Sequence, residues 1–247
     1  MSKHSEIGRL IEEFGATLAH AQALDALEVC MVLNLPLVKA VPFWSEQIAA
    51  DATQSANSLS AMTNISLMVL RAAHSALKDN KDATETLHRV AADWQLAASR
   101  LSDISDDMTD LLAEQRLWTG VSAEGERRAA GVQVEKQAEL IAVAQLVSSG
   151  CAEGAMLNEA MMLLGLTAVA GPLVSARAVA YRNPSLANVF GLNSRTRGVA
   201  AQLDLAARDY LEVVKGTAWR SAAHGVARKF GGVESVLKGK RAPRIAI

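Results

Sequence analysis

Residues 43–119 form a run of 77 residues that contains neither glycine nor proline. Turns usually need one of these residues, whereas the interior of a helix disfavours both. The run therefore predicts two long helices, separated by a polar break at residues 78–81. Asp82 followed by Glu85 matches a capping box, which predicts that the second of these helices begins there.

The pattern of helix-breaking residues changes at Gly120. Fourteen of the sixteen glycines lie from there onward, and three of the five prolines accompany them. This distribution predicts shorter helices with frequent turns, one of them at Gly171-Pro172. No segment alternates apolar and polar residues as a half-buried strand does.

Together these patterns predict an all-α helical bundle. We expect long helices in residues 1–119, which are acidic overall, and shorter, glycine-punctuated helices in residues 120–247. The chain is long enough for the two parts to share one hydrophobic core.

A regular apolar pattern runs along the second long helix. Its spacings alternate between three and four residues, which is a heptad seam: Leu87, Val90, Trp94, Ala97, Leu101, Ile104, Met108 and Leu111. A seam of this kind must face another helix, and residues 59–77 and the first helix are the expected partners. Pairing with another copy of the chain stays open. The candidate oligomerisation residues are Trp94, Leu101, Ile104, Met108 and Leu111.

The first helix carries its own apolar stripe, formed by Ile7, Leu10, Phe14, Ala21, Leu24 and Met31. Residues 34–45 follow it, where Pro36 and Pro42 preclude a continuous helix. This connector is otherwise largely apolar. It is expected either to pack against the core or to form an arm that docks on a neighbouring subunit.

Residues 160–176 are a second notable apolar segment, because seventeen consecutive residues carry no charge. That length is at the short end for a membrane span, and Gly171-Pro172 interrupts it. We expect a buried helix pair with a turn there. A segment that inserts into a membrane, as in α-helical pore-forming proteins, is the alternative.

The chain has two cysteines, too few for a disulfide scaffold or a thiolate zinc site. Its first residues lack the basic-then-apolar layout of a secretory signal. We therefore expect reduced thiols and a location in the cytoplasm, within an assembled particle or peripheral at a membrane. Cys30 lies in an apolar run that predicts burial, whereas Cys151 follows Gly150 and is expected to be more accessible.

Two short motifs suggest chemistry. Residues 106–110 read DDMTD, which resembles the DDxxD motif of magnesium-dependent prenyl-transferring and terpene-cyclising enzymes. Glu85 and His88 have the Glu-x-x-His spacing of di-iron bundles. Each kind of site needs a second motif on a facing helix, and the sequence has neither. We therefore expect no enzyme activity, no cofactor, no metal site and no small-molecule substrate.

The charges are distributed very unevenly. Residues 177–247 hold thirteen basic and four acidic residues, a net charge of +9, whereas residues 1–176 hold twelve basic and twenty-two acidic residues, a net charge of −10. A basic surface of this kind binds nucleic-acid phosphates, an anionic membrane or the acidic surface of another copy. An ordinary solvated face, paired within the chain, is the remaining possibility.

Nine of these basic residues are candidate contacts to an anionic partner: Arg195, Arg197, Arg220, Arg228, Lys229, Lys238, Lys240, Arg241 and Arg244. The sequence therefore favours a self-assembling structural protein, of the physical class of matrix and nucleocapsid proteins, with a basic C-terminal region. A membrane-active helical protein is the first alternative. A magnesium-dependent prenyl-type or di-iron enzyme is the second.

Overall fold

The computed structural model describes residues 2–114, 119–182, 191–216, 223–231 and 233. None of these described residues lies in a strand, which confirms the all-α helical bundle. The helices are α1 (Lys3–Leu33), α2 (Pro36–Lys39), α3 (Pro42–Ala76), α4 (Ala83–Glu114), α5 (Val121–Ala180), α6 (Ser194–Lys215) and α7 (residues 223–231), with a 3-10 turn at Lys78–Asn80.

The predicted helix boundaries of the first part are confirmed. The polar break falls at the 3-10 turn, and α4 begins directly after Asp82, whose carbonyl accepts the backbone N–H of Thr86 at 3.1 Å. Pro36 and Pro42 stand at the first positions of α2 and α3, where a missing N–H costs no intrahelical hydrogen bond.

The expectation of short helices after Gly120 is wrong for α5, which runs for 60 residues with Pro172 inside it. The predicted turn at Gly171-Pro172 does not form. Val169 and Leu173, on either side of this pair, are almost fully buried. Packing against the other helices of the bundle thus stabilises the helical path across the backbone hydrogen bond that proline cannot donate.

The chain forms two compact units, and their boundary is not at residue 119 as expected. Unit 1 comprises Met1–Lys81 and Ala160–Gly216, and unit 2 comprises Asp82–Glu159 and Thr217–Ile247. Glycine and proline content suggested the boundary at 119. The contacts place it elsewhere because α4 pairs with the first part of α5, across that position.

Unit 1 is a bundle of α1, α3, the last part of α5 and α6. Each helix contributes one buried stripe, and the largest fully buried apolar side chains come from all four helices: Ile7, Ile11, Phe14, Leu70, Val169, Leu173, Val199, Leu203 and Tyr210. The stripe predicted for α1 is buried from Ile7 to Ala21, whereas Met31 is exposed.

The α6 helix approaches α5 closely where Tyr210 packs against Gly165. A Cβ atom added at Gly165 would lie 2.8 Å from Cε2 of the tyrosine ring. The ring is fully buried, and burial raises the pKa of Tyr210 to about 12. The absence of a side chain at residue 165 is therefore what admits the tyrosine to the core.

Unit 2 is built on an antiparallel hairpin of α4 and α5. Ser148 Oγ donates to the carbonyl of Ala91 at 2.8 Å, and Gln137 Nε2 donates to Sδ of Met108 at 3.3 Å. From the first contact to the second, the residue number rises from 91 to 108 on α4 and falls from 148 to 137 on α5, so the two helices are antiparallel. Within unit 2, the partner of α4 is thus α5, a helix that was not among the partners expected for the seam.

The first prediction concerns the close approach at Gly165. Gly165→Ala should lower the free energy of unfolding by about 1–3 kcal/mol, because the methyl group overlaps a buried ring. Gly15→Ala is the matched control, since nothing lies within 4 Å of its added Cβ. The control should be neutral or stabilising by up to about 1 kcal/mol. Urea unfolding of both variants measures this, and equal effects would contradict the packing at Gly165.

The ends of α1 and α3 meet at two stacked histidines. The ring centroids of His4 and His74 lie 3.9 Å apart, and Nε2 of His4 is 3.3 Å from the carbonyl oxygen of His74. Burial, and secondarily the charge of His4, lower the pKa of His74. The unfolded chain therefore binds a proton at His74 more readily than the folded chain does.

The second prediction follows from that sign. The free energy of unfolding should fall as pH decreases through the ordinary histidine pKa of about 6.5. In that range the unfolded state binds a proton at His74, whereas the folded state, with its lowered pKa, does not yet do so. Urea unfolding between about pH 8 and pH 5.5 measures this dependence. The dependence should weaken in His74→Gln, and an unchanged slope in that variant would assign the effect to other groups.

Candidate interaction surfaces

The α4 seam is only partly covered by α5. Trp94, Ile104 and Leu111 keep 40%, 49% and 57% of their surface exposed, whereas Leu101 and Met108 are half-buried. We call these five residues the α4 edge. All five predicted oligomerisation residues thus retain accessible surface on one helix of unit 2.

The composition of the hairpin core explains this exposure. The buried side chains of α4 and of the first part of α5 are mostly small, and they include Ala91, Ala98, Ala144, Ser148 and Ala155. Small residues allow two helices to approach closely, so the larger side chains of the seam stand at the margin of the contact. Two helices alone leave that margin open to water.

A row of carboxylates runs beside the α4 edge. Asp103, Asp107, Asp110 and Glu114 are spaced by four, three and four residues, so they share one side of the helix, next to Ile104 and Leu111. We call these four residues the acidic row. All are exposed, and none forms an ion pair with any part of the chain that the structure describes.

The two enzyme-like motifs lie on the same helix. Asp106 and Asp107 of the DDxxD-like motif are both exposed, as are Glu85 and His88. Within the described residues, no three side chains of His, Cys, Asp or Glu form a group that could hold a metal ion. Of this motif, Asp107 and Asp110 belong to the acidic row.

Arg195 is a correction to the predicted set of anion contacts, because it is 3% exposed and bound inside unit 1. Its Nη2 donates to the carbonyl of Arg182 at 3.2 Å. Its Nη1 lies 2.7 Å from Oε1 of Glu28, which makes an ion pair whose angles do not meet those of a hydrogen bond. The Asp25 carboxylate accepts the backbone N–H groups of Arg195 at 3.3 Å and Thr196 at 2.7 Å. Asp25 thereby caps the start of α6.

A signal for this buried ion cluster was present in the sequence but was missed. Phe14, Leu18, Ala21, Asp25, Glu28 and Val32 follow spacings of four, three, four, three and four residues. Asp25 and Glu28 therefore occupy core positions of α1, where an acidic residue needs an internal cation. Arg195 supplies that cation, which is why it is not available to an external partner.

The other predicted anion contacts have different outcomes. Arg197 and Arg228 are exposed and form no ion pair with the described residues, whereas Lys229 pairs with Glu153 of α5. The remaining predicted contacts lie outside the described residues: Arg220, Lys238, Lys240, Arg241 and Arg244.

The connector between α1 and α3 is a second uncovered apolar surface, located in unit 1. Leu37 and Phe43 are 70% and 68% exposed, Leu35 and Trp44 are also exposed, and Val38 alone among its large apolar residues is buried. Most of the connector therefore does not pack into the bundle. Of the two expected roles, the docking arm stays a prediction.

The cysteine expectations are reversed. Cys30 is exposed and Cys151 is buried, and burial raises the pKa of the Cys151 thiol. Cys30 lies on α1 between Glu28 and Val32, which face the core, so it points away from the bundle. Its apolar neighbours gave the wrong prediction because a run of adjacent residues covers all sides of a helix: Val32 is buried, whereas Met31 is 68% exposed.

Two helices, α1 and α5, are long and apolar enough to cross a membrane by length and composition alone. In α5, residues 160–176 bury one face, whereas Leu163, Leu164 and Val174 on the other are 49%, 50% and 66% exposed. The core helix of a soluble protein passes the same test of length and composition, so this observation is weak evidence for a membrane span.

Comparisons of this chain with protein-family models, with curated protein sequences and with solved structures found no match.

The third prediction tests the buried ion cluster. Arg195→Met should lower the free energy of unfolding by about 3–5 kcal/mol, because it leaves two buried carboxylates without their cation. Arg197→Met, two residues along the same helix, removes an exposed cation and should change stability by no more than about 0.5 kcal/mol. Urea unfolding measures both variants, and a mild effect of Arg195→Met would contradict the internal role of Arg195.

Proposed function

We propose that this chain is a structural protein that self-associates, with the α4 edge as the contact between copies. The observation that carries the proposal is the exposure of Trp94, Ile104 and Leu111 on a regular heptad seam. Full burial of one such side chain stabilises a complex by about 1.5–3 kcal/mol. A second copy can supply the apolar side chains that cover this exposed edge.

The connector supports extension of the assembly beyond a pair. Its exposed residues are Leu35 and Leu37, at the start of and within α2, and Phe43 and Trp44, in the first turn of α3; α4 contributes none of them. A chain with two separate contact surfaces can join more than two copies. The proposed role is therefore structural, and it includes no catalytic step.

An anionic partner of the basic C-terminal region is the second part of the proposal. Its support is the net charge of +9 over residues 177–247 and the exposure of Arg197 and Arg228, which no described carboxylate neutralises. Nucleic acid, an anionic membrane and the acidic surface of another copy all provide the required charge.

The fourth prediction tests self-association. The wild-type protein should have a mass above 26.2 kDa at micromolar concentration, and Ile104→Ser with Leu111→Ser should shift it toward the monomer. Val132→Ser with Met156→Ser is the matched control, because these residues of unit 2 are 53% and 57% exposed but lie on α5. Light scattering with size-exclusion chromatography measures the masses.

A wild-type mass of one chain over a wide concentration range would contradict the proposal. Equal dissociation by the two double variants would mean that general surface hydrophobicity, and not the α4 edge, joins the copies. Circular dichroism of all variants should show unchanged helix content, because the replaced residues are exposed.

A membrane-active helical protein is the alternative function, and the exposed face of residues 160–176 favours it. Binding to vesicles with and without anionic lipid separates the two proposals. Contact through basic residues should disappear in high salt, which screens exposed charges. Insertion of Leu163, Leu164 and Val174 into the hydrocarbon should survive high salt and should occur on neutral lipid as well.

A further inference from the structure

The α4 edge and the acidic row together form a strip of mixed chemistry. Between residues 101 and 114 the helix has five acidic residues and no basic residue. Ile104 and Leu111 provide exposed apolar surface beside Asp103, Asp107, Asp110 and Glu114. A matching ligand would be a peptide with several cations and apolar side chains close to them in sequence.

Residues 234–247 of this chain have that composition. They lie outside the described residues, and their sequence contains four basic residues and the single acidic residue Glu234. The basic residues are followed directly by Ile245-Ala246-Ile247. Cations and apolar side chains therefore adjoin one another in this segment, as carboxylates and apolar side chains do on α4.

We propose that residues 234–247 of one copy dock on the α4 edge and the acidic row of a second copy. Lysine and arginine side chains pair with the acidic row, and Ile245 and Ile247 cover Ile104 and Leu111. This inference rests on the proposed self-association and names the segment and the surface that meet. Charge complementarity sets the orientation of the segment along the helix.

α7 joins unit 2 near the first part of α4, away from the acidic row. Phe230 of α7 contacts α5 at Gly150, and Ser148 of α5 bonds to Ala91 of α4. Asp103 lies twelve residues beyond Ala91, which is about 18 Å along the helix. The choice of a second copy rests on the proposed self-association, and mixing the variants described below separates it from docking within one chain.

The lengths are compatible with this docking. Fourteen residues span at most about 46 Å when extended. The acidic row, from Asp103 to Glu114, is about 17 Å long at the helical rise. The segment can therefore leave α7, reach a neighbour and still cover the whole row.

Two charge-reversed variants test the docking. The row variant carries Asp103→Lys, Asp107→Lys and Asp110→Lys, and the segment variant carries Lys240→Glu, Arg241→Glu and Arg244→Glu. Each alone brings like charges together, so each should weaken self-association at least tenfold. The matched control reverses three exposed carboxylates of α5, Glu124, Glu126 and Glu135, to Lys and should associate as the wild type does.

Mixing the row and segment variants in equal amounts is the decisive measurement. In the mixture each segment meets a row of opposite charge on the other chain, so association should return to within about threefold of the wild type, equivalent to 0.7 kcal/mol or less. A chain carrying all six substitutions should also associate. Docking within one chain would restore only the six-substitution protein, and failure of the mixture would overturn the inference.

The remaining outcomes are also distinct. A wild-type monomer would overturn both this inference and the proposed function. Self-association that is normal in both charge variants would retain the α4 edge as a contact but overturn the docking of residues 234–247. If self-association is normal in both charge variants but the segment variant no longer binds DNA or anionic vesicles, the segment would be assigned to that partner instead.

Discussion

The unbroken backbone of α5 is the constraint on which both compact units depend. Its first part pairs with α4 in unit 2, and its last part, from residue 160, lies in the core of unit 1. Pro172 removes one backbone hydrogen bond within that core. Burial of Val169 and Leu173 beside it, at about 1.5–3 kcal/mol each, offsets a cost of about 3 kcal/mol for a proline inside a helix. Helical continuity is thus maintained by packing where the local sequence opposes it.

The two units bury apolar side chains in different ways. Unit 1 surrounds large side chains such as Phe14 and Tyr210 with four helical segments, and Gly165 admits the tyrosine ring. Unit 2 brings α4 and α5 together through small side chains, which removes less apolar area from water. The uncovered α4 edge follows from that difference, and the proposed contact between copies would complete the burial that the hairpin leaves unfinished.

The buried ion cluster links two elements that are distant in sequence. The Asp25 carboxylate accepts backbone N–H groups in the first turn of α6. Arg195 forms an ion pair with Glu28 and donates to the carbonyl of Arg182, which follows α5. A buried ion pair contributes little net stability compared with apolar packing, but a shifted register would leave its charges unpaired. The cluster therefore disfavours alternative pairings of α1 with α6.

The sequence by itself determined the helical class, the break near residue 80 and the seam on α4, because hydrogen bonding within a helix and the positions of glycine and proline act locally. Tertiary structure alone decided which helix covers that seam, that α5 continues through Pro172, that Arg195 is internal and that Cys30 is exposed while Cys151 is buried. Each of these depends on residues far away in the chain. A heptad pattern predicts that one face of a helix packs against another surface. It does not identify that surface, because burial depends on both partners and the helix sequence specifies only one of them.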